Sequence, residues 1–86
     1  EIPEATIIAT PNPFAEETLL EVKGVRMASE EVLQLQVFDY QGNILGNMES
    51  KTGVFHLKKG SWPGGVYLIR ITQNGKIVGV GKLIAQ

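Results

Sequence analysis

Turn residues break this chain at roughly 8–12-residue intervals, and between the breaks apolar and polar residues alternate. A period of two puts successive side chains on opposite faces of an extended strand. No stretch holds the i, i+3, i+4, i+7 spacing of an amphipathic helix for three turns. The cleanest strand covers residues 32–38, where Leu33, Leu35 and Val37 alternate with Gln34 and Gln36, one face dry and the other wet. Residues 17–25 form another, with Thr18, Leu20 and Val22 opposed to Glu17, Glu21 and Lys23. Further strands are expected over 5–10, 44–48, 54–58 with Phe55 and Leu57 inward, 65–73, and a last one running to Ala85.

The breaks carry their own chemistry. Pro11-Asn12-Pro13 stops the first strand, because proline fixes φ and has no backbone donor. Residues 27–31 read as a connection, Asp39-Tyr40-Gln41-Gly42 as a turn, and the stretch 60–65, with Trp62-Pro63, as a loop. Asn74-Gly75 is a strong hairpin signal. A two-residue turn there pairs Gln73 with Lys76, Ile71 with Val78, Ile69 with Val80 and Tyr67 with Lys82. Tyr67, Ile69, Ile71, Val78 and Val80 then share one apolar face, with Lys82 at its rim, its methylene stem over Tyr67 and its ammonium in water. About seven short strands and no helix give an all-β fold, an antiparallel immunoglobulin-like β-sandwich, with a small barrel as the second choice.

Eighty-six residues make one domain spanning 1–86 with a modest core. Eight Lys+Arg against nine Asp+Glu, with no block of one sign, argue against nucleic acid as a partner. Without cysteine, neither disulfides nor thiolate metal sites contribute. No apolar run approaches the ~20 residues that span a bilayer as a helix. The opening Glu1-Ile2-Pro3-Glu4 is not a signal peptide and there is no initiator methionine. The expectation is a domain excised from a larger protein, residues 1–5 being the remnant of a linker and the targeting signal lying upstream.

No catalytic constellation assembles in the sequence. His56, the single histidine, lies between inward Phe55 and Leu57 and so faces solvent. The stretch from Gly75 to Lys82 imitates a phosphate-binding loop, but five residues separate Gly75 from Gly81 and Leu83 stands where Ser or Thr is needed. Glu16 and Glu17 are strand neighbours on opposite faces, and Glu30 and Glu31 decorate a loop. Asp39 with Asn43 falls short of the oxygens that calcium takes, and reads better as a turn former. No enzyme activity, cofactor or metal is expected. Trp62 is expected to cap the open end of the core, against a competing role as a stacking platform for a glycan or partner.

Several boxes occur in a fixed order: Pro11-Asn12-Pro13-Phe14, then Val37-Phe38-Asp39-Tyr40-Gln41-Gly42, then Pro63-Gly64-Gly65-Val66-Tyr67-Leu68-Ile69-Arg70-Ile71, then Asn74-Gly75-Lys76 and a final Lys82-Leu83-Ile84-Ala85-Gln86. This order resembles the C-terminal sorting domain of type IX secretion cargo in Bacteroidetes. The likeness runs from about Thr6 to Gln86. Two positions depart from the family pattern: Asn43 follows Gly42 where a basic residue is frequent, and the end is Ala85-Gln86, not basic.

The resemblance implies a non-catalytic address tag fused behind an upstream cargo. The cargo passes through the periplasm, the outer-membrane translocon reads the domain, and a surface protease of the sortase type usually removes it. Cargo then stays at the cell surface or becomes extracellular. The residues implied are Pro11, Asn12, Pro13, Phe14, Asp39, Gly42, Gly65 and Tyr67 as motif boxes, and Lys82, Leu83, Ile84, Ala85 and Gln86 as the sorting-signal tail. A last strand with Gly79 and Gly81 inside it is intrinsically weak. On a sheet edge it would offer backbone groups to the translocon or, in a dimer, to a second terminal strand. Deleting residues 82–86 is expected to block export and leave the rest folded. The alternative from another class is a fibronectin-like or carbohydrate-binding accessory module.

Overall fold

The computed structural model describes residues 5–28 and 30–86. The linker expectation for residues 1–4 and the part of the 27–31 connection at Ser29 lie outside the described residues. Among the described residues seven strands follow one another: β1 (Thr6–Thr10), β2 (Glu17–Lys23), β3 (Leu33–Asp39), β4 (Ile44–Ser50), β5 (Val54–Lys58), β6 (Gly65–Gln73) and β7 (Lys76–Ala85). They form two antiparallel sheets, ordered β1-β2-β5 and β4-β3-β6-β7. The connections β2 to β3, β4 to β5 and β5 to β6 each cross between sheets, which makes a sandwich and not a continuous barrel.

Alternation decides what lies between the sheets. Leu20 from β2 and Phe55 and Leu57 from β5 face Leu33, Leu35 and Val37 from β3 and Tyr67, Ile69 and Ile71 from β6, all buried. β2 ends at Lys23, two residues earlier than expected, because Gly24 turns the chain at a φ of 86°. β4 instead runs two residues further, to Ser50. The Ser50 hydroxyl oxygen then accepts the amides of Thr52, Gly53 and Val54 at 3.1, 3.1 and 3.2 Å. These bonds fix the bend that carries the chain to the other sheet.

The β6–β7 hairpin has the expected turn and a different register. Asn74 and Gly75 both have positive φ, 52° and 78°, which matches the turn that suits strand twist. Gln73 pairs with Lys76 and Thr72 with Ile77, but Ile71 pairs with Gly79. Val78 is an extra residue, a β-bulge, and every later position moves by one. Ile69 therefore faces Gly81 and Tyr67 faces Leu83, not Val80 and Lys82. Since one step in register exchanges the faces of a strand, Val80 and Lys82 point to solvent and Leu83 and Ala85 enter the core.

The bulge answers a steric demand. The edge strand β1 of the first sheet crosses β7 closely: a Cβ at position 79 would lie 3.1 Å from the Ala5 Cβ and 3.4 Å from the Ile7 Cδ1. Shifting by one residue turns the glycines inward where β1 needs room. The Ala5 amide then donates to the Val78 carbonyl at 2.9 Å.

Candidate functional site

β7 is the edge of the four-stranded sheet. The Pro-Asn-Pro-Phe segment that follows β1 leaves the first sheet and lies along that edge. Both X-Pro bonds, Thr10-Pro11 and Asn12-Pro13, are cis. Phe14 makes an isolated parallel bridge with Ala85: its amide donates to the Ile84 carbonyl at 2.9 Å, and its carbonyl accepts the Gln86 amide at 2.8 Å. The Asn12 side chain serves the same edge. Its Oδ1 accepts the Ile84 amide at 2.9 Å and its Nδ2 approaches the Lys82 carbonyl at 3.4 Å.

The segment is itself anchored. The Phe14 ring is in the core at 1% exposure, and the buried Thr18 hydroxyl donates to the Pro11 carbonyl at 2.7 Å. A hydroxyl on the apolar face of β2 thus finds a partner, as a buried donor must. The first motif box and the tail, about seventy residues apart in sequence, form one hydrogen-bonded unit.

Only every second residue of β7 directs its backbone groups away from β6. Ile84 belongs to that outward set, so Lys82, Val80 and Val78 do as well. Ala5 takes Val78, and Asn12 with Phe14 takes Ile84. Between these closures, the amide and carbonyl of Val80 and the amide of Lys82 have no partner among the described residues.

The Gly-x-Tyr box and the Asp39-to-Gly42 box lie at the same end, whereas the Asn74-Gly75 turn sits at the opposite end of the β6–β7 hairpin. Gly65 pairs with Ala85 and Tyr67 with Leu83, so β6 of the Gly-x-Tyr box supplies the other side of the tail strand. The Tyr67 hydroxyl donates to the Pro63 carbonyl and its ring lies 5.1 Å from that of Trp62. Trp62 is half-buried against the core, which fits the capping role and removes one face from any stacking platform. The Asp39 carboxylate accepts the amides of Gln41 and Asn43 at 3.0 and 2.9 Å and the Asn43 Nδ2 at 3.0 Å. Those bonds, the Asn43 side chain first, hold the Asp39 carboxyl below its ordinary pKa. Gly42, at a φ of 92°, returns its amide to the Asp39 carbonyl at 3.0 Å.

Lys82 is placed differently from the expectation. It pairs with Leu68 on the outer face of the sheet and does not cover Tyr67, for the reason of register given above. His56 lies on the outer face of the other sheet, 3.1 Å from the Glu17 Oε1. No group of three metal-ligating side chains converges among the described residues. What the arrangement offers chemically is a short strand edge and its flanking side chains, hence a surface for recognition.

The family described as the secretion system C-terminal sorting domain matches residues 9–86. The chain belongs to this family, whose members are sorting signals for type IX secretion. The class is a non-catalytic one in general, and it implies an upstream cargo, a secretion system, and export across the outer membrane to the cell surface or the extracellular space. A comparison with curated proteins finds no match.

Proposed function

We propose that the tail, Lys82 to Gln86, together with the Pro11-Asn12-Pro13-Phe14 segment clamped to it, is the address that an outer-membrane translocon reads. The observation that carries this reading is the union of the two boxes: Asn12 and Phe14 close the outer edge of β7 at Ile84 and Gln86, leaving a short open edge at Val80 and Lys82. Such an edge takes an added strand through backbone hydrogen bonds. Gly65 and Tyr67 back the tail from β6, and Asp39 with Gly42 locks the turn at the same end of the sheet. The domain itself catalyses nothing and acts as one unit over residues 1–86; the residues before Ala5 join it to its cargo, and Ala5, expected in the linker, is instead held on β7 by its bond to Val78. The cargo transits the periplasm, and a surface protease of the sortase type removes the domain after passage. A dimer through the terminal strand would pair at the same short open edge and so would compete with the translocon for it.

The test is an export assay. The 86 residues are fused behind a periplasm-targeted fluorescent reporter in hosts with and without a functional type IX translocon. Reporter at the surface or in the medium only where the translocon works is the expected result. Reporter kept in the periplasm of both hosts, with the domain intact, refutes it.

A further inference from the structure

The two outer faces of the sandwich differ in kind. On the three-stranded sheet, the exposed apolar side chains Ile8, Leu19 and Val54 are interspersed with Glu17, Glu21, Lys23, His56 and Lys58. This checkerboard is how a solvated β-face looks. On the four-stranded sheet the strand pairings set Ile44 beside Phe38, Phe38 beside Leu68, and Leu68 beside Lys82 in one row. Val66 and Ile84 form the adjoining pair on one side, and Arg70 and Val80 on the other. Ile44, Val66, Leu68, Val80 and Ile84 are 53, 41, 45, 62 and 40% exposed. Contiguous apolar surface of this kind marks a binding surface more often than a scattered exposed leucine does.

The bulge at Val78 creates this face, because it turns Val80 and Lys82 outward onto it. The only charged side chains in these rows are cationic. Arg70 stacks over Phe38, its guanidinium carbon 4.9 Å from the ring centroid, and donates to the Gln36 Oε1 from both Nε and Nη2. Lys82 has no ion-pair partner among the described residues. Glu49, a carboxylate on this face, sits on the far edge strand β4 and accepts from Gln34 at 3.3 Å.

We propose that the outer face of the four-stranded sheet, centred on Leu68 and Val80, docks onto a protein of the export machinery that presents apolar side chains and a carboxylate for Lys82. The proposal rests on the sorting-signal reading and names the surface it uses. Charge complementarity selects the occupant. An anionic membrane is held by clusters of about 4–8 basic residues, and this face has one uncommitted cation. A second copy of the chain, joined face to face about a two-fold axis, would meet the same patch with the same cationic sign. The open edge at Val80 and Lys82 borders the face, so a partner strand added there would lie beside it.

The reporter fusion supplies the test. Val80→Asp and Leu68→Asp place a charge on the face, and Val54→Asp does the same at 40% exposure on the opposite sheet. Translocon-dependent export should fall at least about tenfold for the first two and stay within about twofold for the third. Lys82→Glu should lower export more than Lys82→Gln. Thermal unfolding of each purified fusion checks folding; should Leu68→Asp not fold, the more exposed Val80→Asp carries the test. Unchanged export of a folded Val80→Asp fusion overturns the proposal. So does flotation of the wild-type fusion with vesicles of equal parts phosphatidylglycerol and phosphatidylcholine, or its dimerisation in sedimentation, if Val80→Asp abolishes either. If the wild-type fusion is not exported at all, the sorting-signal reading fails and the docking face falls with it, a result distinct from export that ignores the face.

Discussion

Deleting residues 82–86 should unfold the domain, not merely silence it. Leu83 is 0% exposed and Ala85 4%, and both lie in the core with Phe14 and Tyr67. Truncating a buried leucine to alanine costs about 2–5 kcal/mol, so Leu83→Ala by itself should lower stability by about 3 kcal/mol. The deletion also removes the Ala85 methyl, at about 1 kcal/mol, and uncovers one side of the Phe14 ring at about 1–2 kcal/mol. It takes with it the partners of Asn12 and Phe14 and four pairings of β6, so the total reaches roughly 5–8 kcal/mol. An 86-residue domain has a net stability of roughly 4–13 kcal/mol.

The expectation that the shortened chain stays folded is therefore replaced by loss of the fold. Urea unfolding followed by Trp62 fluorescence reports it, since that ring packs on Tyr67. The truncated chain should show no cooperative transition, Leu83→Ala a lowered midpoint, and Lys82→Gln a change within about 0.5 kcal/mol. A truncated chain unfolding cooperatively with a near-wild-type midpoint would refute the reasoning. Export loss in the deletion does not separate an unread signal from an unfolded one, and exposed point substitutions do.

Three more outcomes follow from particular contacts. Asn12→Ala removes the acceptor of the Ile84 amide and should destabilise by about 1 kcal/mol, with faster hydrogen exchange at Ile84 and Gln86. Gly79→Ala pushes a methyl to 3.1 Å from the Ala5 Cβ and should cost about 1–3 kcal/mol, most visible as early loss of β1 in exchange experiments. Asp39 has its folded pKa depressed, so it stabilises the fold at neutral pH and loses that contribution as the pH falls from the ordinary value of 3.8 through the lower folded one. The stability gap between wild type and Asp39→Asn should be widest near neutrality and close on acidification; a gap independent of pH would contradict this. Glu31, held low by the Ala28 amide and the Asn74 side chain, should behave in the same sense.

The order of residues alone specifies the strands, because alternation such as Leu33-Gln34-Leu35-Gln36-Val37 leaves one way to bury an apolar face. It determined the Asn74-Gly75 turn, since few residue pairs accept positive φ at both positions. It also showed the ordered boxes, and with them the family. The register beyond Ile71 was decided only in three dimensions. The bulge at Val78 arises because β1, seventy residues earlier, presses Ala5 and Ile7 on β7 and needs glycine beneath them. No local pattern encodes an approach from the other sheet. That single inserted residue sent Leu83 and Ala85 into the core and Val80 and Lys82 out onto an apolar face. The partner of Asn12 was equally hidden, because a side-chain bond to Ile84 across the fold depends on where two chain segments meet and not on spacing between them.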